Sequence, residues 1–328
     1  MLLPDYTFHK PGTLDECLNV LDEVGENGQL IAGGTDVVFN MRLKLFQPAH
    51  VVSIRTLPEL QQVDELADGS LRIGAGCRLE DLAHNELIAE RYPGFKQSID
   101  AVASAHIRNL GTLGGNICLQ TRCWFTNNSE EWRKGREGCF KTDCEHCHVI
   151  QTAHRCHAIN NSDTPVALIP LDAVLTLAKA GATREVPIGE FYKPDGEDFC
   201  VLEPGELVTA ITLPPTTRHS VFLKFTPRKG MDFSLGTVGA SAQIKDGEVS
   251  DLKIVLGSIS SAPIKLDLPA GILEEGNLSD DALDKALPLM RGEMGKLTNL
   301  YARAGYKKQI ARSLVRRAVE QLREYQHG

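Results

Sequence analysis

Five cysteines and three interior histidines lie between Cys123 and Cys156, with a Cys144-Glu-His-Cys147 pair among them, and Cys118 stands just ahead. In a reducing compartment such thiols do not pair as disulfides, so a group of them in one polar stretch points to metal ligation. Spacing alone leaves two centres open. The C-x-x-C pair, completed by Cys139, Cys156 or one of His146, His148, His154 and His157, would close a tetrahedral zinc site. Four thiolates at long, unequal gaps would instead hold an iron–sulfur cluster, which organises the loop that binds it. The histidines have a plainer reading as solvated side chains, and Cys17, Cys77, Cys118 and Cys200 read as core residues.

Two glycine turns offer a different chemistry. Gly33-Gly34-Thr35-Asp36 follows the apolar run Gln29–Ala32 and precedes a helical pattern, and Gly111-Thr-Leu-Gly-Gly-Asn116 is similar. Residues without Cβ let backbone amides approach an anion, although taken singly each turn is as well explained as a tight bend. Neither is G-x-G-x-x-G, so the dinucleotide fingerprint is absent. No nucleophile has an adjacent base and no carboxylate pair suggests acid–base work, so the chemistry belongs to bound groups.

The elements that must carry these residues alternate at first. Thr13-Leu-Asp-Glu16 is a capping box that predicts a helix to about Val24. Gln29–Ala32 and Val51–Ile54 read as strands flanking a helix from Val37, an α/β unit over residues 1–56. Residues 57–216 form a second unit. It opens with a hairpin (Leu60–Leu66, Ser70–Gly74), continues in helices at Leu79–Asn85 and Phe95–Ala103, and has a helix begun by Asp163-Thr-Pro165. Strands follow at Val174–Ala178, Arg184–Ile188 and Glu206–Leu213. Residues 217–328 read as an α+β unit with strands at Phe222–Phe225, Val238–Ile244 and Leu252–Gly257, and helices at Asp280–Met290 and Leu300–Tyr325.

The 328 residues, 42% hydrophobic, suffice for more than one core. A net charge of −8 without a basic stripe argues against a nucleic-acid partner. No apolar run is long enough for a membrane span and no signal segment opens the chain, so a cytoplasmic location is expected.

Taken in order, Ile31-Ala-Gly-Gly-Thr-Asp36, Ile107-Arg-Asn-Leu-Gly-Thr-Leu-Gly-Gly-Asn-Ile117, Ser162-Asp163 and Phe222-Leu-Lys224 resemble the FAD-binding subunit of the xanthine oxidase family of molybdenum hydroxylases. The resemblance spans essentially the whole chain. It implies an FAD-binding PCMH-type fold, two α/β subdomains clasping FAD, with a C-terminal α+β domain as in CO dehydrogenase flavoproteins. By position, Leu30, Ile31, Ala32, Gly33, Gly34, Thr35, Asp36 and Val37, with Gly111, Thr112, Gly115 and Asn116, would wrap the diphosphate and adjoining flavin, and His106 joins this set. Asp163 would accept from ribityl or ribose hydroxyls, Val208 would lie against the isoalloxazine, and Lys224 would sit at its polar edge, where a cation favours the reduced ring. On residue type alone, Lys224 reads as a strand-end surface charge.

Relative to that family, residues of about 121–160 look like an insertion. Cys123, Cys139, Cys147 and Cys156, with fifteen, seven and eight residues between them, and neighbours such as Thr121-Arg122 and Trp132-Arg133 resemble the β subunit of 4-hydroxybenzoyl-CoA reductase. That resemblance implies a [4Fe-4S] cluster on those four thiols and leaves Cys144 outside the set. Trp124, Phe125, Trp132 and Phe140 would wall it. It further implies a heterotrimer, itself dimerised, with a molybdopterin subunit and a [2Fe-2S] subunit. Electrons from ferredoxin would then serve reductive dehydroxylation of 4-hydroxybenzoyl-CoA. The alternative is an oxidative relative acting on another heterocycle or acyl-CoA, with zinc or a cluster in the loop.

Overall fold

The computed structural model describes residues 3–142, 144–245, 248–267 and 302–325. Thr13 caps the first helix, α1 (Leu14–Val24), its hydroxyl accepting from the Glu16 amide at 3.2 Å, while the Glu16 carboxylate accepts from the Gly12 amide. α1 buries Cys17, Leu18 and Leu21 at helical spacing against Val52 and Leu57. Beside it lies a three-stranded parallel sheet of β1 (Thr7–His9), β2 (Gly28–Ile31) and β3 (His50–Ser53), in the order β1-β3-β2. The second helix, α2 (Val37–Arg42), leaves the end of β2 through the first glycine turn.

A five-stranded antiparallel sheet follows, ordered β4-β5-β8-β6-β7. Its strands are β4 (Val63–Glu65), β5 (Leu71–Gly74), β6 (Val174–Lys179), β7 (Ala182–Pro187) and β8 (Leu207–Leu213). The sequence-predicted hairpins pair β4 with β5 and β6 with β7, and β8 comes between them by a long-range connection. The largest core lies here, where Tyr92, Phe95 and Ile99 around the helix Pro93–Asp100 meet Leu71, Ile73 and Ile211. Residues 121–160 leave and return between the second glycine turn and the helix Thr164–Leu168, and their ends meet as an antiparallel bridge of Arg122 with Ile159.

The last sheet is antiparallel, β12-β11-β10-β9, from β9 (His219–Phe225), β10 (Gly236–Lys245), β11 (Glu248–Gly257) and β12 (Ile264–Lys265). The helix Ala304–Glu324 covers it with Ile310, Leu314, Val315, Ala318 and Leu322, the single apolar stripe of an amphipathic helix. The helix expected at Asp280–Met290 falls outside the described residues. This sheet also reaches the middle core: a Cβ on Gly239 of β10 would stand 2.0 Å from the Val166 carbonyl oxygen. Only glycine permits that approach.

Candidate functional site

The two glycine turns are one construction. A Cβ added to Gly33 would lie 1.8 Å from the Leu110 carbonyl oxygen, so the turn after β2 and the turn before the helix Leu113–Ile117 touch backbone to backbone. Thr112 caps that second helix, accepting from the Gly115 amide at 3.2 Å. These turns border a cavity of about 650 Å³, within the range of small-molecule sites.

Leu30, Ala32, Gly33, Gly34, Thr35, Asp36 and Val37 line it, as do Gly111, Thr112, Gly115, Asn116, Asp163, Val208 and Lys224. Two residues of the expected set stand elsewhere. Ile31 is not among the cavity walls, and neither is His106, which is exposed on the short helix Ala105–Arg108.

Asp163 is 3% exposed and its Oδ2 accepts from Lys224 Nζ at 2.6 Å, while Nζ also donates to the Ala101 carbonyl. The surface-charge reading of Lys224 is thereby corrected. A lysine is held inside when a buried carboxylate and a carbonyl take its donors. Burial pushes the Asp163 carboxyl up to about 6, with Lys224 pulling the other way. Its Oδ1 has no partner, an acceptor left over for a hydroxyl entering the cavity. Asn116 fixes this turn: its Oδ1 accepts from the Ser162 hydroxyl at 2.8 Å and from the Thr164 hydroxyl at 2.7 Å.

Residues not singled out by sequence complete the walls. Cys118 and Cys200, read above as core, both line the cavity and are only partly buried. Arg122, Arg228, Met231 and Phe233 close another side. Arg122 ion-pairs with Asp36, and its guanidinium lies 5.3 Å from the Phe233 ring centroid.

Beyond Arg122 the thiol segment turns inward. Burial raises the Cys123 thiol, the nearby Cys139 and Cys147 sulfurs raise it further, and an amide from Phe125 and the ammonium of Lys141 oppose them. Burial pushes Cys156 up to about 12, with Cys123 and Cys139 adding to the rise and the Ala158 amide and Lys141 opposing it. Cys139, Cys147 and Cys156 are thus all close enough to Cys123 to act on its charge, or to feel it, and Cys156 also feels Cys139. The Ala158 amide donates to Cys156 Sγ at 3.4 Å, and the Thr142 hydroxyl lies 3.8 Å from Cys139 Sγ. The Cys144 sulfur sits against Gly138 instead. Phe125 stacks on His148 at 4.9 Å and tilts against Trp132 at 6.4 Å, whereas Trp124 is exposed and builds no wall. Among the described residues, no three His, Cys, Asp or Glu side chains are grouped to hold a metal ion. Nor does any described helix have the length and apolarity to cross a membrane.

Residues 4–216 match the family model of the FAD binding domain in molybdopterin dehydrogenase, and residues 221–322 match the CO dehydrogenase flavoprotein C-terminal domain. The chain is 32% identical over 260 residues to the aldehyde oxidoreductase FAD-binding subunit of Escherichia coli K12, covering 76% of this chain and 80% of that one. It is 24% identical over 321 residues to the carbon monoxide dehydrogenase medium chain of Afipia carboxidovorans, 98% of this chain and 97% of that one. A solved Cu,Mo-CO dehydrogenase chain superposes with a TM-score of 0.81 at 23% identity, covering 99% of both. The chain thus belongs to the FAD-binding subunits of the xanthine oxidase family of molybdenum hydroxylases, and its fold is the PCMH-type FAD domain followed by the CO dehydrogenase flavoprotein C-terminal domain.

Proposed function

We propose that this chain is the electron-transfer subunit, carrying FAD and a [4Fe-4S] cluster, of a molybdenum enzyme that removes the ring hydroxyl of 4-hydroxybenzoyl-CoA to give benzoyl-CoA. The observation that carries the reading is the nearness of Cys139, Cys147 and Cys156 to Cys123, in a loop whose neck, at Arg122, borders the cavity. Four cysteine thiolates are the usual shell of a [4Fe-4S] cluster, and the cluster organises the loop that binds it. Amide and hydroxyl donors on Cys156 and Cys139, together with the Lys141 ammonium, suit sulfurs that carry negative charge.

Bound FAD exchanges one or two electrons and a [4Fe-4S] centre one at a time, which joins single-electron donors such as ferredoxin to a two-electron reduction on a partner subunit. The chain's own part is to hold and orient. The glycine turns would cradle the diphosphate, Asp163 would accept from a ribityl or ribose hydroxyl through its spare Oδ1, and Val208 would pack on the ring with Lys224 at the polar edge. Partners follow from the same reading: a molybdopterin subunit and a [2Fe-2S] subunit, assembled as a dimerised heterotrimer. We place the divisions of the chain near residues 56 and 216.

The test is oxygen-free purification with flavin, iron, sulfide and zinc analysis, followed by assay of the complex for benzoyl-CoA formation with reduced ferredoxin. About four irons and four sulfides per chain are expected from four-thiolate ligation. Zinc without sulfide would defeat the cluster, and turnover of aldehydes or heterocycles in place of the thioester would defeat the substrate.

A further inference from the structure

We infer that Arg122 is the cation that receives the diphosphate of FAD, so that the thiol segment supplies part of the flavin site. Arg122 lines the cavity with the glycine turns, and its guanidinium pairs with Asp36, the residue that directly follows Gly33-Gly34-Thr35. A second nitrogen, Nη1, donates to Asn40 Oδ1 at 3.4 Å, one turn along α2. Its Nε is buried and has no partner. A buried donor left unmade costs about 1–3 kcal/mol. An anionic oxygen in the cavity would satisfy it.

Charge balance points the same way. Of the three cations that line the cavity among the described residues, Lys224 is tied to Asp163 and Arg228 to Asp232. Asp36, alone, would stand as a carboxylate beside the doubly charged diphosphate and repel it. Arg122 cancels that charge and still has donors in hand, and the planar guanidinium fork suits phosphate oxygens.

The backbone fixes the direction of the side chain. The Arg122 amide donates to the Ile159 carbonyl at 2.7 Å, and the Ile159 amide returns a bond at 2.8 Å, closing the neck of residues 121–160. In extended backbone consecutive side chains point to opposite sides, so Arg122 enters the cavity while Cys123 faces the other sulfurs. Adjacent residues thus serve two different sites.

The experiment uses the full chain stripped of flavin and titrated with FAD and with riboflavin, which lacks the diphosphate, following quenching of flavin fluorescence. R122Q should bind FAD at least tenfold more weakly and riboflavin within twofold of the parent, and R122K should recover part of the loss. Adding D36N to R122Q should also recover part, because the uncompensated carboxylate is gone. If FAD binding is unchanged, or if FAD and riboflavin weaken together, the assignment to the diphosphate is overturned. D36N alone keeps Arg122 and frees its donors. It should tighten FAD at least twofold and leave riboflavin alone, which decides the matter should R122Q not fold; unchanged or weaker FAD binding there overturns the assignment. Iron counted on the same samples keeps the cluster separate, since its absence from the parent would count against the cluster and not against Arg122.

Discussion

Around the candidate flavin cavity, backbone meets backbone: Gly33 lies on Leu110, a strand end feeds the first turn and the short helix Ala105–Arg108 the second, and Thr112 caps the helix that follows. Residues 121–160 are held differently. Apart from the bridge at their neck, their described residues contain one five-residue helix, Glu130–Lys134, and a turn of 3₁₀ helix at Phe140–Thr142. Their attachment to the rest is largely by side chains, with Arg133 donating to the Leu43 and Lys44 carbonyls and Lys44 pairing with Glu130. A site made of main chain is set once the strands pair, whereas a site made of thiols in irregular chain takes its order from what the thiols bind.

Substitutions at the thiols and at Gly33 sharpen that contrast. The largest effect is expected from replacing Cys123, Cys139, Cys147 or Cys156 singly by serine, which should abolish the iron signal in paramagnetic resonance after dithionite reduction. Cys144→Ser should retain it. Loss at Cys144 with survival at Cys147 would reverse the ligand choice. Next, Gly33→Val forces a side chain into the Leu110 carbonyl, and overpacking against backbone should cost on the order of 3 kcal/mol and remove flavin absorbance. Iron should stay, because the neck of the thiol segment does not pass through that turn. Joint loss of iron and flavin would mean the two sites are not built independently.

The smallest effect is a pH dependence of the flavin-free protein. Asp163 lies at about 6 against an ordinary 3.8, chiefly through burial. A carboxyl raised on folding is ionised first in the unfolded chain. The stability it lends is therefore full below about 4 and is lost as the pH rises through about 6. At ~1.4 kcal/mol per unit the change is roughly 3 kcal/mol across that window. Melting curves of Asp163→Asn should lack this slope; a parent whose melting point is flat between pH 4 and 6 would contradict it.

Local signals located the elements well. The capping box at Thr13, the turn of the first hairpin and the Pro165 helix start are each decided by a few consecutive residues, and all appear where residue type places them. What could not be read depends on partners far along the chain. Lys224 reads as a surface residue because lysines are costly to bury, and its carboxylate lies 61 residues away. Arg122 meets Asp36 across 86 residues, and no spacing rule connects them. Cys118 and Cys200 pack against the core, as residue type suggests, and also line the cavity, which residue type does not show. The thiols, by contrast, were conspicuous because polar stretches seldom gather cysteine.

Gly239 has a consequence for how such subunits diversify. The strand that holds it lies directly on the helix following Asp163, so the final sheet is seated on the wall of the cofactor chamber with no room for even a methyl group. Grafting the last third of another subunit onto this one would succeed only if the donor brings a bare main chain to that spot. The tail of the protein is thus a fitted part, and exchange between relatives must preserve that close approach.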